Sequence, residues 1–327
     1  MSPPLRWGLL GTAHVNRRLI PAMRAARRSM LAAVASRQPA RAEDYAREWK
    51  IPVAHGSYEA LLRDRGVDAV YVPLPNALHV EWTLRALDAG KHVLCEKPLA
   101  LAPEDVERVE AVARARTLVV AEAFMYRHEP LIARVVQLVR DGHIGAITSM
   151  SAGFTYRQSR SPDVRLEAAL GGGSLWDIGC YAVNAVRLTI GTEPTAVFGF
   201  AAMTPAGVDE SFTGLLQFGG GPVATVHSSF RAPYRTWLDV IGSAGILRAA
   251  NPFKPAPVDV IEIRRGEEVV HEAVEGSSML FVRQIEDFVS AAVDGREPAV
   301  SLLDSRGNAA VLAALHASAR SRRAVTL

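Results

Sequence analysis

"LRWGLLGTAHVN", residues 5–16, decides how the first half of this chain folds. A short apolar run meets a glycine at position 11, and the segment behind it, "RRLIPAMRAARR", carries the spacing of a helix. The same alternation continues. "MLAAVAS", "DAVYVPLP", "HVLCEKP" and "TLVVAEAF" are apolar strands. "PARAEDYAREWK", "HVEWTLRALDAG" and "PEDVERVEAVARAR" are the helices between them. Strands this uniformly apolar, joined by helices, predict a parallel sheet covered on both faces. The expected fold class is α/β, with an N-terminal Rossmann-like, doubly wound sheet that places its ligand at the carboxyl ends of the strands.

The pattern changes near Ala123. A helix around "PLIARVVQLVRDG" leads to the alternating "AITSMSAGFTYR". Then follow "TAVFGFAAM", "ESFTGLLQF", "PVATVHSSF", "TWLDVIG", "GILRAA" and "DVIEIRR" with short turns, which predict a large, mostly antiparallel sheet with one open face. "SSMLFVRQIEDFVSAAVDG" and "SLLDSRGNAAVLAALHASAR" close the chain as helices. The expected division is 1–122, a dinucleotide-binding domain, and 123–327, an α+β domain for substrate binding and oligomerisation, with the active site between them. Val197, Phe212 and Leu216 are expected on the open face, where they would form a homo-oligomer interface of a dimer or higher.

Composition bounds the function. The 327 residues are too many for one ordinary core, and 49% hydrophobic with 22% charged residues is globular. Thirty-seven basic against 34 acidic residues leave +3, and the clusters at Arg27-Arg28 and Arg320 to Arg323 read as solvated helix surface, so no nucleic-acid partner is expected. No apolar run is long enough to span a bilayer, and the motif at the N-terminus leaves no room for a signal peptide. The two cysteines, Cys95 and Cys180, have no metal-type spacing and the nine histidines form no HxxxH pair. Free, inert thiols, no metal and a cytoplasmic location are the expectation.

Against the GxGxxG fingerprint, the turn "GTAHVN" keeps Gly11 but has Ala13 and Asn16 at the second and third glycine positions. Gly11, Thr12, Ala13, Val15 and Asn16 are therefore expected to line a dinucleotide. After the second strand an NAD-binding protein places an acid for the ribose hydroxyl. Here the chain reads "ASRQPAR", with Arg37 and Arg41 four apart and Ser36 placed to cap the helix. Guanidinium forks suit a 2′-phosphate, so NADP is the expected cofactor, with NAD possible.

A second stretch, "GGGSLWDIGCY" at 171–181, puts three glycines before Asp177 and Tyr181. Leu175, Ile178, Ala182, Val183 and Val186 recur at helical spacing, Ser174 can cap the first turn, and Asp177 and Tyr181 then lie one turn apart on one face. That arrangement fits a polar pair in a cleft or a solvated helix face equally.

Together "GTAHVN", "PLPNALH", "CEKPLAL", "EAFMYRHEP" and "GGGSLWDIGCY" resemble the Gfo/Idh/MocA oxidoreductase family. The tyrosine of the last motif is similar to the branch holding glucose–fructose oxidoreductase, NADP-dependent xylose dehydrogenase and dimeric dihydrodiol dehydrogenase. The resemblance implies that Lys97, the lysine of the EKP motif, stands beside the nicotinamide and the reacting carbon. It implies that Asp177 and Tyr181 hold substrate and transfer its proton, and that Pro75, Asn76, His79 and Glu96 line the cofactor. Tyr126 and Arg127 would stand near the substrate. Tyr181 would be the base once its pKa falls from about 10 toward neutrality, with the Lys97 ammonium stabilising the phenolate. The glycines would let the chain pass close to the cofactor. The activity implied is NADP-dependent oxidation of a sugar, foremost an aldose to its lactone, or of a cyclic diol. A family enzyme using transient oxidation on a tightly held dinucleotide, for glycoside cleavage or epimerisation, is the alternative, as is a non-catalytic dinucleotide-binding regulator.

Overall fold

The structure, a computed structural model, describes residues 3–160 and 162–327. It divides into two compact units, the first ending at Met125 and rejoined by Phe281–Arg306, the second made of Tyr126–Leu280 and Gly307–Leu327.

The first unit alternates strand and helix. Its elements are β1 (Leu5–Leu10), α1 (Asn16–Ala25), β2 (Ser29–Ala35), α2 (Pro39–Trp49), β3 (Val53–His55), α3 (Tyr58–Leu62), β4 (Ala69–Val72), α4 (His79–Asp88), β5 (His92–Cys95), α5 (Pro103–Arg116) and β6 (Val120–Glu122). The six strands pair in parallel in the order β3-β2-β1-β4-β5-β6. Chain direction away from β1 reverses between β1 and β4, which is where a doubly wound sheet opens its ligand crevice. The strand ends that face this point carry Gly11, Ser36, Pro75 and Glu96.

The second unit holds α6 (Pro130–Arg140), β7 (Ile147–Thr155), α7 (Cys180–Ile190), β8 (Pro194–Met203), β9 (Asp209–Phe218), β10 (Val223–Ser229), β11 (Arg235–Gly242), β12 (Ile246–Ala249), β13 (Val258–Arg265) and β14 (Glu268–Glu275). After α8 (Val282–Asp294) come α9 (Leu302–Ser321) and β15 (Val325–Thr326). The nine strands run β14-β13-β12-β11-β7-β10-β9-β8-β15, antiparallel throughout except where β10 meets β7. One face is covered by helices of this unit: Arg134 of α6 pairs with Glu272 of β14, and Ser318 of α9 accepts the Gly199 N–H at 3.0 Å.

Two expectations are corrected here. Val197, Phe212 and Leu216 belong to the covered face, with exposures of 2%, 1% and 0%. The open face instead presents Phe198, Phe200 (62% exposed) and Leu215. Side chains alternate with period two, and β8 is apolar on both faces, so its alternation does not say which set is inward. The single boundary at 122/123 also omits a return of the chain. Phe288 of α8 packs its ring 5.0 Å from Trp7 of β1, and Arg27 and Arg28 pair with Glu286 and Asp294. This helix therefore belongs to the parallel-sheet unit.

Candidate active site

The first strand-to-helix turn is closed by a glycine in the left-handed region and a buried asparagine. Gly11 has a φ of +113°, and a Cβ there would stand 3.4 Å from the Tyr58 hydroxyl. Asn16 is wholly buried and its Nδ2 donates to the Gly11 carbonyl at 2.9 Å. The residue standing for the third glycine thus closes the turn from inside. Thr12, Ala13 and Val15 lie half-buried along it. Helix α1 carries no acid in its first turn and no side-chain cap. Its amino-terminal N–H groups and the positive end of its dipole are therefore placed as in a pyrophosphate site.

At the end of β2, Arg37 and Arg41 are exposed and Ser36 is buried. Ser36 does not cap α2. The cap position is Gln38, Pro39 opens the helix, and the Ser36 hydroxyl accepts the Gln38 N–H at 3.2 Å. Beside the arginines stands Tyr58, a residue sequence reasoning missed. Burial pushes its phenol up, while Arg37, by charge and by a hydrogen bond, and Arg41 pull it down. Its ring sits edge-on to Trp82 at 4.9 Å, and Arg85 covers the Trp82 ring. Only its place at the start of a five-residue helix marked it in the sequence, which is too little to read. Two arginines and a phenol against a glycine turn form a set of donors that fits a phosphorylated ribose.

The next two loops are fastened to each other. His79 is fully buried, with Nδ1 2.7 Å from the Pro98 carbonyl and Nε2 2.7 Å from the Leu74 carbonyl. Burial, aided by the Lys97 charge, pushes the imidazole down to about 4 against the pull of both carbonyls. At neutral pH the ring holds one proton and donates to one of these two carbonyls, with its other nitrogen lying against the second, so it is packed between the loop before Pro75 and Asn76 and the loop of Lys97. His79 is thus a clamp between loops, with both nitrogens turned to protein. Glu96 accepts from the Tyr71 hydroxyl and, at 3.3 Å, from the Lys97 N–H. Lys97 is half-buried and precedes a cis proline.

In the second unit, the "GGGSLWDIGCY" stretch departs from a regular helix. Leu175–Gly179 form a π turn that runs into α7. Gly173 has a φ of +124°, and a Cβ on it would collide with the Asp209 carboxylate. A Cβ on Gly172 would meet the carbonyls of Arg165 and Glu167 at 2.6 and 2.8 Å. The close approach these glycines permit is to the chain's own 165–167 segment and to Asp209. Ser174 is not the expected cap, because its hydroxyl donates to Asp209 at 2.6 Å.

Asp177 is half-buried, and its Oδ2 accepts from Arg165 Nε at 2.9 Å and the Tyr156 hydroxyl at 3.0 Å. The Asp177 carboxylate holds the Arg165 guanidinium well above its usual range. Arg165 also reaches Asp163 at 3.2 Å. The Tyr181 ring lies within an aromatic box, with centroids of Tyr126, Phe154 and Phe253 at 5.8, 5.6 and 5.6 Å. Tyr126, expected near the substrate, is fully buried behind Tyr181, and its hydroxyl donates to Asn184 Oδ1 at 2.5 Å. Arg127 donates to the same oxygen at 3.2 Å. Tyr126 thus supports the Tyr181 ring. Cys95 and Cys180 are both buried, the Cys180 thiol donates to the Asp177 carbonyl at 3.5 Å, and burial pushes the Cys95 thiol up.

The chain is similar to the D-xylose 1-dehydrogenase (NADP(+)) 2 of Haloferax volcanii, 38% identical over 99% of this chain and 100% of that protein. It is 30% identical to the trans-1,2-dihydrobenzene-1,2-diol dehydrogenase of Xenopus tropicalis over 81% of this chain and 82% of that one. Among solved structures, a 3-ketoreductase from Actinomadura kijaniata in complex with NADP and TDP-benzene superposes with a TM-score of 0.92. It is 34% identical and covers 96% of this chain and 98% of its own. Residues 5–124 match the family model described as the oxidoreductase family with an NAD-binding Rossmann fold, and residues 132–248 match the GFO/IDH/MocA C-terminal domain. The chain belongs to the Gfo/Idh/MocA oxidoreductase family.

Proposed function

We propose that this chain, an NADP-dependent sugar or diol dehydrogenase, oxidises an aldose to its lactone, with Tyr181 as the base, Lys97 as its electrostatic partner and Asp177 as the substrate-orienting acid. When bound, NADP supplies the acceptor for the hydride that leaves the carbinol carbon. Arg37 and Arg41 hold its 2′-phosphate, and the amino end of α1 holds its pyrophosphate.

The observation that carries the reading is the fixed Asp177–Tyr181 pair. Arg165 and Tyr156 hold one carboxylate oxygen of Asp177 in place. A carboxylate offers about four acceptor sites, so a sugar hydroxyl can still be oriented by it. The aromatic box fixes the Tyr181 ring, which lets the phenol oxygen take the hydroxyl proton from one direction. The proposal requires Lys97 and Tyr181 to face one substrate, where the ammonium favours a forming phenolate. A panel of aldoses, polyols and cyclic dihydrodiols, each with NADP and with NAD, tests it. Reduction of NADP with an aldose supports it; co-purifying dinucleotide with no net reduction of added NADP would point instead to transient oxidation.

The same reading includes a homodimer formed through the open sheet face, where the Phe198 and Phe200 rings lie 4.8 Å apart and Leu215 stands across from Phe198. It also includes a cytoplasmic location, in keeping with the burial of both cysteine thiols. Among the described residues no helix is long and apolar enough to cross a membrane.

A further inference from the structure

We infer that Asp209, at the start of β9, is a positioning residue that sets the Asp177–Tyr181 helix in place by receiving its first turn. The Asp209 Oδ2 accepts from the Ser174 hydroxyl at 2.6 Å and from the Leu175 N–H at 2.8 Å. The Ser228 hydroxyl of β10 stands 2.9 Å behind Ser174 and completes the chain of bonds. Gly173 is the residue whose missing Cβ admits the carboxylate. No side chain of the helix itself caps this end. A carboxylate brought from another element therefore does the work of a cap.

The arrangement is specific to an acceptor. Besides Ser174 Oγ and Leu175 N, the N–H groups of Ser174 and of Asp209 itself favour the ionised form. A protonated acid or an amide would place a donor against these donors. Burial nevertheless pushes the carboxyl up to about 6, so this is a carboxylate kept at some cost to the fold. The charged groups on the packed elements are engaged elsewhere. Asp177 in the π turn faces Arg165 and Tyr156, and Glu210, the next residue on β9, pairs with Arg231 at 2.9 Å. β8 and β10 bring Met203 and Ser228 to this position.

The inference rests on the reading of Tyr181 as the base, and the test separates the two. Turnover and NADP affinity are measured against pH for wild type, Asp209→Asn and Ser174→Ala. Wild-type turnover is expected to fall as pH drops through about 6. Asp209→Asn should lower turnover by about 10–100-fold, the cost of a small misplacement of a catalytic group. It should leave NADP affinity within about twofold and remove the fall centred near 6, so that only the acid limb set by Tyr181 itself remains. Ser174→Ala should lower turnover less than Asp209→Asn, because the Leu175 N–H still reaches the carboxylate, and should move the limb to higher pH, because the carboxylate loses a donor. Should Asp209→Asn not fold, the shifted limb of Ser174→Ala decides alone. Wild-type turnover in Asp209→Asn, or a limb that stays put in Ser174→Ala, overturns the inference. A Tyr181→Phe variant with wild-type turnover would instead sink the parent reading.

Discussion

Removing the Arg37 guanidinium tests whether the first unit is built for NADP. The arginine lies exposed at the end of β2, its guanidinium beside the Tyr58 hydroxyl, which itself abuts Gly11 of the first strand-to-helix turn. A charge-assisted hydrogen bond to phosphate is worth about 1.5–3 kcal/mol, or about 10- to 150-fold in affinity. Exposure to solvent places this contact toward the lower end, near tenfold at moderate salt. Arg37→Ala should therefore weaken NADP binding about tenfold and hardly change NAD binding, as read by cofactor fluorescence titration. Tyr58→Phe should have a smaller effect in the same direction, because the phenol only orients the guanidinium. The NADP loss should shrink as salt rises, since the contact is an exposed ion pair. Equal losses for NADP and NAD in Arg37→Ala would refute the assignment of a 2′-phosphate site.

Asn16→Ala should cost about 1–3 kcal/mol in urea unfolding, because it strands the Gly11 carbonyl in a buried turn, and should weaken both dinucleotides alike. Phe200→Asp on the open sheet face should turn a dimer into a monomer by light scattering, whereas a wild-type monomer at micromolar concentration would remove that interface. Stability against pH should show two opposed slopes. Asp209 is raised to about 6, so its contribution is full below its unfolded value and is lost as pH rises through about 6. His79 is lowered to about 4, so its contribution is full above its unfolded value and is lost as pH falls toward 4. Asp209→Asn should remove its share of the first slope, so that stability rises more steeply between about pH 4 and 6 than in wild type in chemical unfolding.

The parallel sheet was legible because buried strands such as "AVYV" are apolar without a break, while their helices carry polar faces. β3 and α3, at three and five residues, are too short for any period to register, and Tyr58 went unseen with them. Strand β14, "EVVHEAVE", is an exposed edge with little apolar signal. On the open sheet the strands were readable but their inward faces were not, because "AVFGF" is apolar at both parities. The motif residues Lys97, Asp177 and Tyr181 could be picked by resemblance, yet what holds them could not. Arg165 reaches Asp177 across 12 residues, and Asp209 reaches Ser174 across 35. Such partners are set by the fold and leave no spacing in the chain. Tyr126 and His79 illustrate the converse, since motif positions that resemble ligand contacts are packed inside as a ring support and a loop clamp.

The claim that Tyr181 takes the substrate proton is tested most directly by turnover against pH for Tyr181→Phe beside wild type, with NADP affinity as the control. The substitution keeps the ring among Tyr126, Phe154 and Phe253 and removes only the hydroxyl. Turnover should fall by about 10²–10⁴, the usual share of general acid–base catalysis, with NADP affinity nearly unchanged. Turnover that stayed above about a tenth of wild type would contradict the account and send the proton to Lys97 or elsewhere.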